Sequence, residues 1–140
     1  MQTNQIIATA EAVNSGALYE TSLTTDEHHY LTDEPESHGG KNLAPSPIDY
    51  LCASLASCKV ITLRMYANRK GWNVSLIKAK VKLLKVVGGV EHTFSCELEI
   101  QGHATEQQRV RMLDNSQICR VQKVLSRSAE ITTILTEVER

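Results

Sequence analysis

The residues of this sequence best suited to chemistry are its four cysteines, Cys52, Cys58, Cys96 and Cys119. No two of them form a Cys-x-x-Cys pair, so their spacing suggests neither a zinc ribbon nor a thioredoxin-type motif. The N-terminal residues lack both a basic patch and an apolar signal core, which predicts a cytosolic protein. Permanent disulfides are uncommon in a reducing cytosol. The cysteines are therefore expected to be buried thiols or reactive ones.

Two of these cysteines are candidates for reactivity, and each also has a structural interpretation. Cys58 falls in the middle of a predicted helix among small residues, where a cysteine is usually a core side chain. Cys119 is predicted to begin a helix, where free backbone amides and the nearby Arg120 and Lys123 would favour a thiolate. The local sequence therefore favours Cys119 slightly over Cys58.

The other two cysteines fit a core role better. Cys52 belongs to an apolar stripe of the same predicted helix as Cys58, and Cys96 lies on the predicted inward face of a strand beside Phe94 and Leu98. A small apolar thiol suits both positions. We expect Cys52 and Cys96 to be structural.

His28 and His29, which are followed by Asp33 and Glu34, are candidate metal ligands. Adjacent residues of a strand point to opposite faces, so the two histidines cannot easily bind one ion. We expect neither a metal nor a cofactor.

The charged residues are distributed unevenly. Residues 1–40 contain seven acidic side chains and no lysine or arginine, whereas residues 41–140 contain nine acids and all fifteen bases. Such a split can mark a nucleic-acid surface, but the bases are scattered through separate elements. An acidic segment that packs on a basic remainder, in the same subunit or in a partner, is the favoured interpretation. No run of about 18 apolar residues is present, so no membrane span is expected.

The elements that must position these residues form an α+β pattern with antiparallel sheets. Ser46 as N-cap, Pro47 in the first turn and Asp49 at a capping-box position predict the start of a long helix that is apolar on more than one face. The predicted strands are 7–13, 17–23, 29–31, 77–83, 94–100 and 130–138, and the predicted helices are 48–68, 105–114 and 119–125.

The hairpin register can also be predicted. If Gly88-Gly89 forms the turn, Lys80 faces Glu97 and Lys78 faces Glu99, while the apolar residues between them face one another. Opposite charges then pair on one face of the hairpin. The lysine run is therefore interpreted as a solvated sheet face, which argues against a nucleic-acid partner.

Two segments resemble a known family. Residues 39–67 contain Gly-Gly, then Pro-Ser-Pro-Ile-Asp-Tyr-Leu, then Ala-Ser-Leu-Ala-Ser-Cys and Thr-Leu-Arg-Met-Tyr-Ala, and residues 118–125 are Ile-Cys-Arg-Val-Gln-Lys-Val-Leu. In this order and spacing the motifs resemble the osmotically inducible protein C (OsmC) and organic hydroperoxide resistance (Ohr) family, and they are most similar to its YhfA-like branch. The resemblance covers nearly the whole chain, as a single domain over residues 1–140.

The resemblance implies a fold and a chemistry. The family fold has antiparallel sheets around a long central helix, in an interwound homodimer with sites built from both subunits. By the resemblance, Cys58 is the peroxidatic cysteine, which attacks a hydroperoxide and becomes a sulfenic acid, and Cys119 is the resolving cysteine, which condenses with it to a disulfide. Small dithiols such as lipoyl groups reduce that disulfide in better-known members.

The sequence departs from the family pattern at three places. No arginine precedes Arg64, although the active peroxidases use an arginine of the N-terminal sheet to stabilise the thiolate. Ile48 stands where the family has the glutamate that holds that arginine, and the nearest acid is Asp49. Arg120 stands where a proline commonly follows the second cysteine.

Asp49 is thus a third candidate catalytic residue, although helix capping competes with that role. Because residues nine apart lie on opposite faces of an ideal helix, Asp49 would reach Cys58 chemistry only in the other subunit's site. Lys41, Arg64 and Arg120 are candidates to replace the family arginine. The sequence predicts a cytosolic dithiol peroxidase of organic hydroperoxides. The alternative is a redox-sensing or small-ligand-binding dimer with weak or no peroxidase activity.

Overall fold

The computed structural model describes residues 3–136 and has the predicted α+β architecture, with antiparallel sheets and one long helix. Its elements are β1 Glu11–Val13, β2 Thr21–Thr25, β3 His28–Thr32, α1 Pro47–Lys70, β4 Val74–Lys85, β5 His92–Gly102, α2 Glu106–Asn115 and α3 Arg120–Leu125. The chain divides into two compact units at Ala53 and Ser54, so α1 begins in the first unit and continues in the second. No helix within residues 3–136 is long and apolar enough to cross a membrane.

The first unit contains the antiparallel sheet β1-β2-β3. Asn14 Oδ1 accepts a hydrogen bond from the amide of Gly16 at 3.1 Å, and the φ of +100° at Gly16 makes the turn that the sequence predicted. The first strand is shorter than predicted, because only Glu11–Val13 of the range 7–13 pairs with β2.

A buried carboxylate organises the loop that follows β3. Asp33 is 2% exposed, and its two carboxylate oxygens accept hydrogen bonds from the amides of Glu34 at 2.7 Å and Leu43 at 3.1 Å. A β-carbon at Gly40 would overlap the carbonyl oxygen of Glu34, so only glycine fits this close approach. The Pro- and Gly-rich loop is therefore folded around Asp33 and leads directly into α1.

The start and end of α1 follow the predicted signals. The amide of Asp49 donates to Ser46 Oγ at 3.1 Å, and the amide of Ser46 donates to Asp49 Oδ2 at 3.0 Å, which is a reciprocal capping box. Gly71, with a φ of +70°, ends the helix. The buried face of α1 is a row at four-residue spacing formed by Leu55, Lys59, Leu63 and Ala67.

The second unit contains the β4–β5 hairpin in the predicted register. Lys80 pairs with Glu97 and Lys78 pairs with Glu99 across the antiparallel ladder. The hydrophobic core lies toward the base of this hairpin and contains the buried residues Leu63, Ala67, Val74, Ala104 and Met112. Complementary residues on both faces of the hairpin therefore specify its register.

Two predictions for the rest of this unit need correction. The sequence predicts a capping box of Thr105 and Gln108, with Val110 and Leu113 facing inward. The capping box opens α2, but Val110 and Leu113 are 51% and 54% exposed, and Met112 is the fully buried residue of this helix. The predicted strand 130–138 is wrong for residues 130–136, which form neither a strand nor a helix, and its last two residues lie outside the described chain. Apolar β-branched composition favours a strand, but a strand also needs a neighbouring edge to pair with.

Candidate functional site

The structure brings Cys58 and Cys119 together in the second unit. Cys58 is half-buried on α1, whereas Cys119 is fully buried immediately before α3. A hydrogen bond joins the two thiols. The residues are far apart in sequence, so their contact depends on the segment 116–122 folding back against α1.

The start of α3 supplies further donors to this pair. Cys119 is the N-cap of α3, and its Sγ accepts a hydrogen bond from the amide of Gln122 at 3.5 Å. The backbone amides of Val121 and Arg120 donate to the sulfur of Cys58, and Thr62, one turn further along α1, adds a side-chain hydrogen bond. Most of the donors therefore converge on Cys58.

These contacts separate the two thiols electrostatically. Burial by itself would raise the pKa of Cys58, but the thiol of Cys119 and the amides of Val121 and Arg120 stabilise the thiolate and bring that pKa below its usual range. Burial raises the pKa of Cys119, and the neighbouring Cys58 raises it further. The arrangement suits a thiolate on Cys58 and a protonated thiol on Cys119.

The local sequence favoured the opposite order, because a cysteine at a helix start normally receives the free amides. Here the amides of Arg120 and Val121 donate hydrogen bonds to the sulfur of Cys58 on α1. The expectation of a lowered pKa at Cys119 is therefore wrong, and only the packing of α3 on α1 could reveal this.

Sequence reasoning missed Lys59, which follows Cys58 directly. Lys59 is 3% exposed, and its Nζ donates to the carbonyl oxygen of Ser116 at 3.0 Å and to Oε1 of Gln122. A lysine is rarely buried to this extent without a partner. The signal in the sequence was its four-residue spacing from Leu55 and Leu63, which places a charge in an apolar row.

The other proposed site residues have different partners. Asp49 is occupied in the capping box of α1, and Arg64 donates from Nη1 to the carbonyl oxygen of Val74 at 2.6 Å. The side chain of Arg120 is exposed, and it is the backbone amide of this residue that contacts Cys58. The backbone amide of Lys41 donates to the carboxylate of Asp33 in the first unit.

The two remaining cysteines differ in exposure. Cys52 is half-buried on α1, whereas Cys96 is exposed, so the prediction of a core position for Cys96 is wrong. Cys96 pairs with Val81, nearer the turn of the hairpin than Leu98 and Ile100, which pack on the core. The apolar face of β5 therefore continues beyond the core that covers its base.

Several solved structures share this fold. A structure from Psychrobacter arcticus, named as that of an osmotic stress induced and detoxification response protein, is 22% identical, with a TM-score of 0.71 over 87% of this chain and 90% of that one. An OsmC-like protein from Mycoplasma pneumoniae is 19% identical, with a TM-score of 0.71 over 90% and 89%. An organic hydroperoxide resistance protein from Legionella pneumophila is 15% identical, with a TM-score of 0.62 over 88% and 91%.

Sequence comparison adds a family. No curated protein matches the chain by sequence. The model of the family described as OsmC-like protein matches residues 39–134, which include α1, the hairpin and both cysteines of the site. The YhfA-like branch stays a prediction. This match covers well over half of the sequence, and the chain therefore belongs to the OsmC-like protein family.

Proposed function

We propose that the protein is a thiol-dependent peroxidase that reduces organic hydroperoxides through a Cys58–Cys119 disulfide. The observation that carries the proposal is the hydrogen-bonded pair of unlike thiols, in which Cys58 has the lowered pKa and Cys119 the raised one. A peroxidatic sulfur must be a thiolate and accessible, and a resolving sulfur must lie within reach of it. Cys58, half-buried, meets the first requirement, and Cys119 meets the second.

The proposed reaction has two steps. The Cys58 thiolate attacks the terminal oxygen of the hydroperoxide, the O–O bond breaks, and the alkoxide takes a proton to leave as an alcohol. Cys58 is then a sulfenic acid. The Cys119 sulfur attacks the Cys58 sulfur, an S–S bond forms, and the hydroxyl leaves with the thiol proton as water.

The substrate and reductant are proposed from family likeness. The Legionella pneumophila structure similar to this chain is named an organic hydroperoxide resistance protein, which supports an organic hydroperoxide as the substrate. A small dithiol or lipoyl group would return the disulfide to two thiols by exchange and become a disulfide itself. The cycle needs neither metal nor cofactor, and we place it in the cytoplasm.

We also propose that the protein acts as a homodimer. Opposite its buried row, α1 exposes Ile61 and Met65, which are 54% and 64% exposed and one turn apart. Such an apolar face is a common mark of a subunit interface. Light scattering at micromolar concentration should give a dimer mass, and a stable monomer would contradict this part of the proposal.

Asp49 is retained as a candidate in the dimeric site. Its carboxylate caps α1 in its own subunit. If Asp49 also has a catalytic role, it acts on Cys58 of the partner subunit. Asp49→Asn keeps an oxygen acceptor for the Ser46 amide. If Asp49 acts only as a cap, this variant should lose a little stability and retain peroxide consumption.

A second function is a redox-sensing or ligand-binding dimer with little turnover. It is favoured by the position of Arg64, which donates to Val74 in the second unit, and by the absence of arginine from residues 1–63. Both functions retain the Cys58–Cys119 pair, so turnover distinguishes them.

The decisive experiment is oxidation with less than one equivalent of cumene hydroperoxide, followed by mass spectrometry of the digested protein. A Cys58–Cys119 disulfide and repeated peroxide consumption with dihydrolipoamide are expected. In Cys119→Ser, one equivalent should leave Cys58 as a sulfenic acid that dimedone labels. If neither thiol reacts faster than free cysteine, the peroxidase proposal is wrong and the binding or sensing function replaces it.

A further inference from the structure

The segment that carries Cys119 is attached to α1 by a buried lysine. Lys59 Nζ donates to Ser116 O on one side of Cys119 and to Gln122 Oε1 on the other side. Cys58 is the residue directly before Lys59 in α1. The ammonium group of Lys59, on the helix that carries Cys58, therefore binds the chain on both sides of Cys119.

Gln122 connects this ammonium group to the sulfur itself. Its side chain accepts the hydrogen bond from Lys59, and its backbone amide donates to Cys119 Sγ. Its Nε2 also donates to Oε1 of Gln117, which precedes Cys119 in the sequence. Ser116 is 2% exposed, so the acceptor on that side of the segment is shielded from water.

A purely structural explanation of Lys59 is incomplete. Removing an ammonium group from water is costly, and a core position in the row of Leu55 and Leu63 could be filled by an apolar side chain of similar length. Within residues 3–136 both of its acceptors are uncharged oxygens, so no ion pair of this part of the chain accounts for its burial. What the charge does achieve is strong, directional hydrogen bonding to two points of one short segment.

We propose that Lys59 is a positioning residue that holds the segment 116–122 against α1 and so sets the effective concentration of the Cys119 thiol at Cys58. The inference rests on the proposed function only in taking these two cysteines as the redox pair. Lys59 acts through its hydrogen bonds to Ser116 and Gln122.

The test is the equilibrium between dithiol and disulfide in a dithiothreitol redox buffer, which requires no hydroperoxide. In Lys59→Met the equilibrium constant for the Cys58–Cys119 disulfide should fall about tenfold, as expected for loss of a charge-assisted hydrogen bond. For a two-electron couple this equals about 30 mV toward easier reduction. Lys78→Met, which removes an exposed lysine of β4, is the control and should leave the constant unchanged.

A second variant keeps the test valid if Lys59→Met does not fold. Gln122→Met removes the side-chain acceptor but retains the backbone amide, and it should lower the constant in the same direction. The double variant should resemble Lys59→Met alone, because the Lys59–Gln122 hydrogen bond that Gln122→Met removes is already absent in Lys59→Met. An unchanged or increased constant in folded Lys59→Met or Gln122→Met, or additive effects in the double variant, would overturn the inference.

The result for Lys59 can be distinguished from the result for the peroxidase proposal. A disulfide whose stability depends on Lys59, in a protein that does not consume cumene hydroperoxide, supports the positioning role and contradicts the peroxidase. Normal peroxide consumption with a disulfide stability that is independent of Lys59 gives the reverse result.

Discussion

Two helices of the second unit begin in different ways, and the difference bears on function. At α2, Thr105 and Gln108 satisfy each other's backbone amides in a closed capping box. At α3 the N-cap is Cys119, whose sulfur accepts the amide of Gln122. The amide of Val121 donates to both Cys119 and Cys58, and the amide of Arg120 donates to Cys58 on α1. A closed cap stabilises its own helix, whereas the open one lowers the pKa of a thiol on a neighbouring helix.

The largest effect is expected from removing the Cys58 sulfur, which accepts hydrogen bonds from the amides at the start of α3. Cys58→Ser should lower hydroperoxide turnover on the order of 100-fold or more, because no thiolate remains to attack the O–O bond. Peroxide consumption coupled to dihydrolipoamide oxidation measures this. Cys52→Ser and Cys96→Ser are the matched controls and should retain turnover. Loss of turnover in a folded Cys96 variant would show that the wrong pair was chosen.

Removing the donor at the cap should alter the reactivity of Cys58 without removing its sulfur. In Cys119→Ala the thiol that stabilises the Cys58 thiolate is lost, so the pKa of Cys58 should rise. The midpoint of the pH profile for alkylation of Cys58 by iodoacetamide should therefore move to higher pH. In Cys119→Ser a hydroxyl can still donate, so the pH profile should move less. Identical profiles for the two variants would contradict a role for this hydrogen bond.

Changing the closed cap of α2 should alter the stability of the protein and leave the reactivity of Cys58 unchanged. Thr105→Ala removes the acceptor for the amide of Gln108 and should cost about 1 kcal/mol of unfolding free energy. Urea denaturation measures this loss, and Thr105→Ser should restore most of it. The alkylation profile of Cys58 should stay the same in both variants. A changed profile would mean that the two helix starts are coupled.

The smallest effect concerns Asp33, where backbone amides also converge on an anion, in the first unit. Burial opposes ionisation of Asp33, but the amides of Leu43, Glu34 and Lys41 outweigh it and lower its pKa. A carboxyl whose folded pKa is depressed contributes stability above its unfolded pKa and loses it as the pH falls through the folded pKa. The unfolding free energy should therefore decrease as the pH is lowered below about 4.

The matched variant for this effect is Asp33→Asn, which retains an oxygen acceptor but cannot ionise. It should be less stable than the parent at neutral pH and should lose part of the acid dependence. Urea unfolding at several pH values checks both. An Asp33→Asn variant with the full acid dependence of the parent would assign that dependence to other carboxyl groups.

Much of the fold could be predicted because the information is local. The capping residues Ser46, Asp49, Thr105 and Gln108 fix where α1 and α2 begin, and the alternating charges of β4 and β5 fix the hairpin register. The end of the chain could not be predicted in this way, because the composition of residues 130–136 favours a strand but does not supply a neighbouring edge.

The sequence by itself singled out Cys58 and Cys119 as candidates, since their flanking motifs resemble the family pattern. The tertiary structure alone decided which of them has the lowered pKa, and it alone showed that buried Lys59 links α1 to the segment 116–122. The physical reason is that amide donors, burial and a hydrogen-bonding ammonium act over a few ångströms in space. Cys58 and Cys119, which are 61 positions apart, acquire such contacts only when α3 packs on α1.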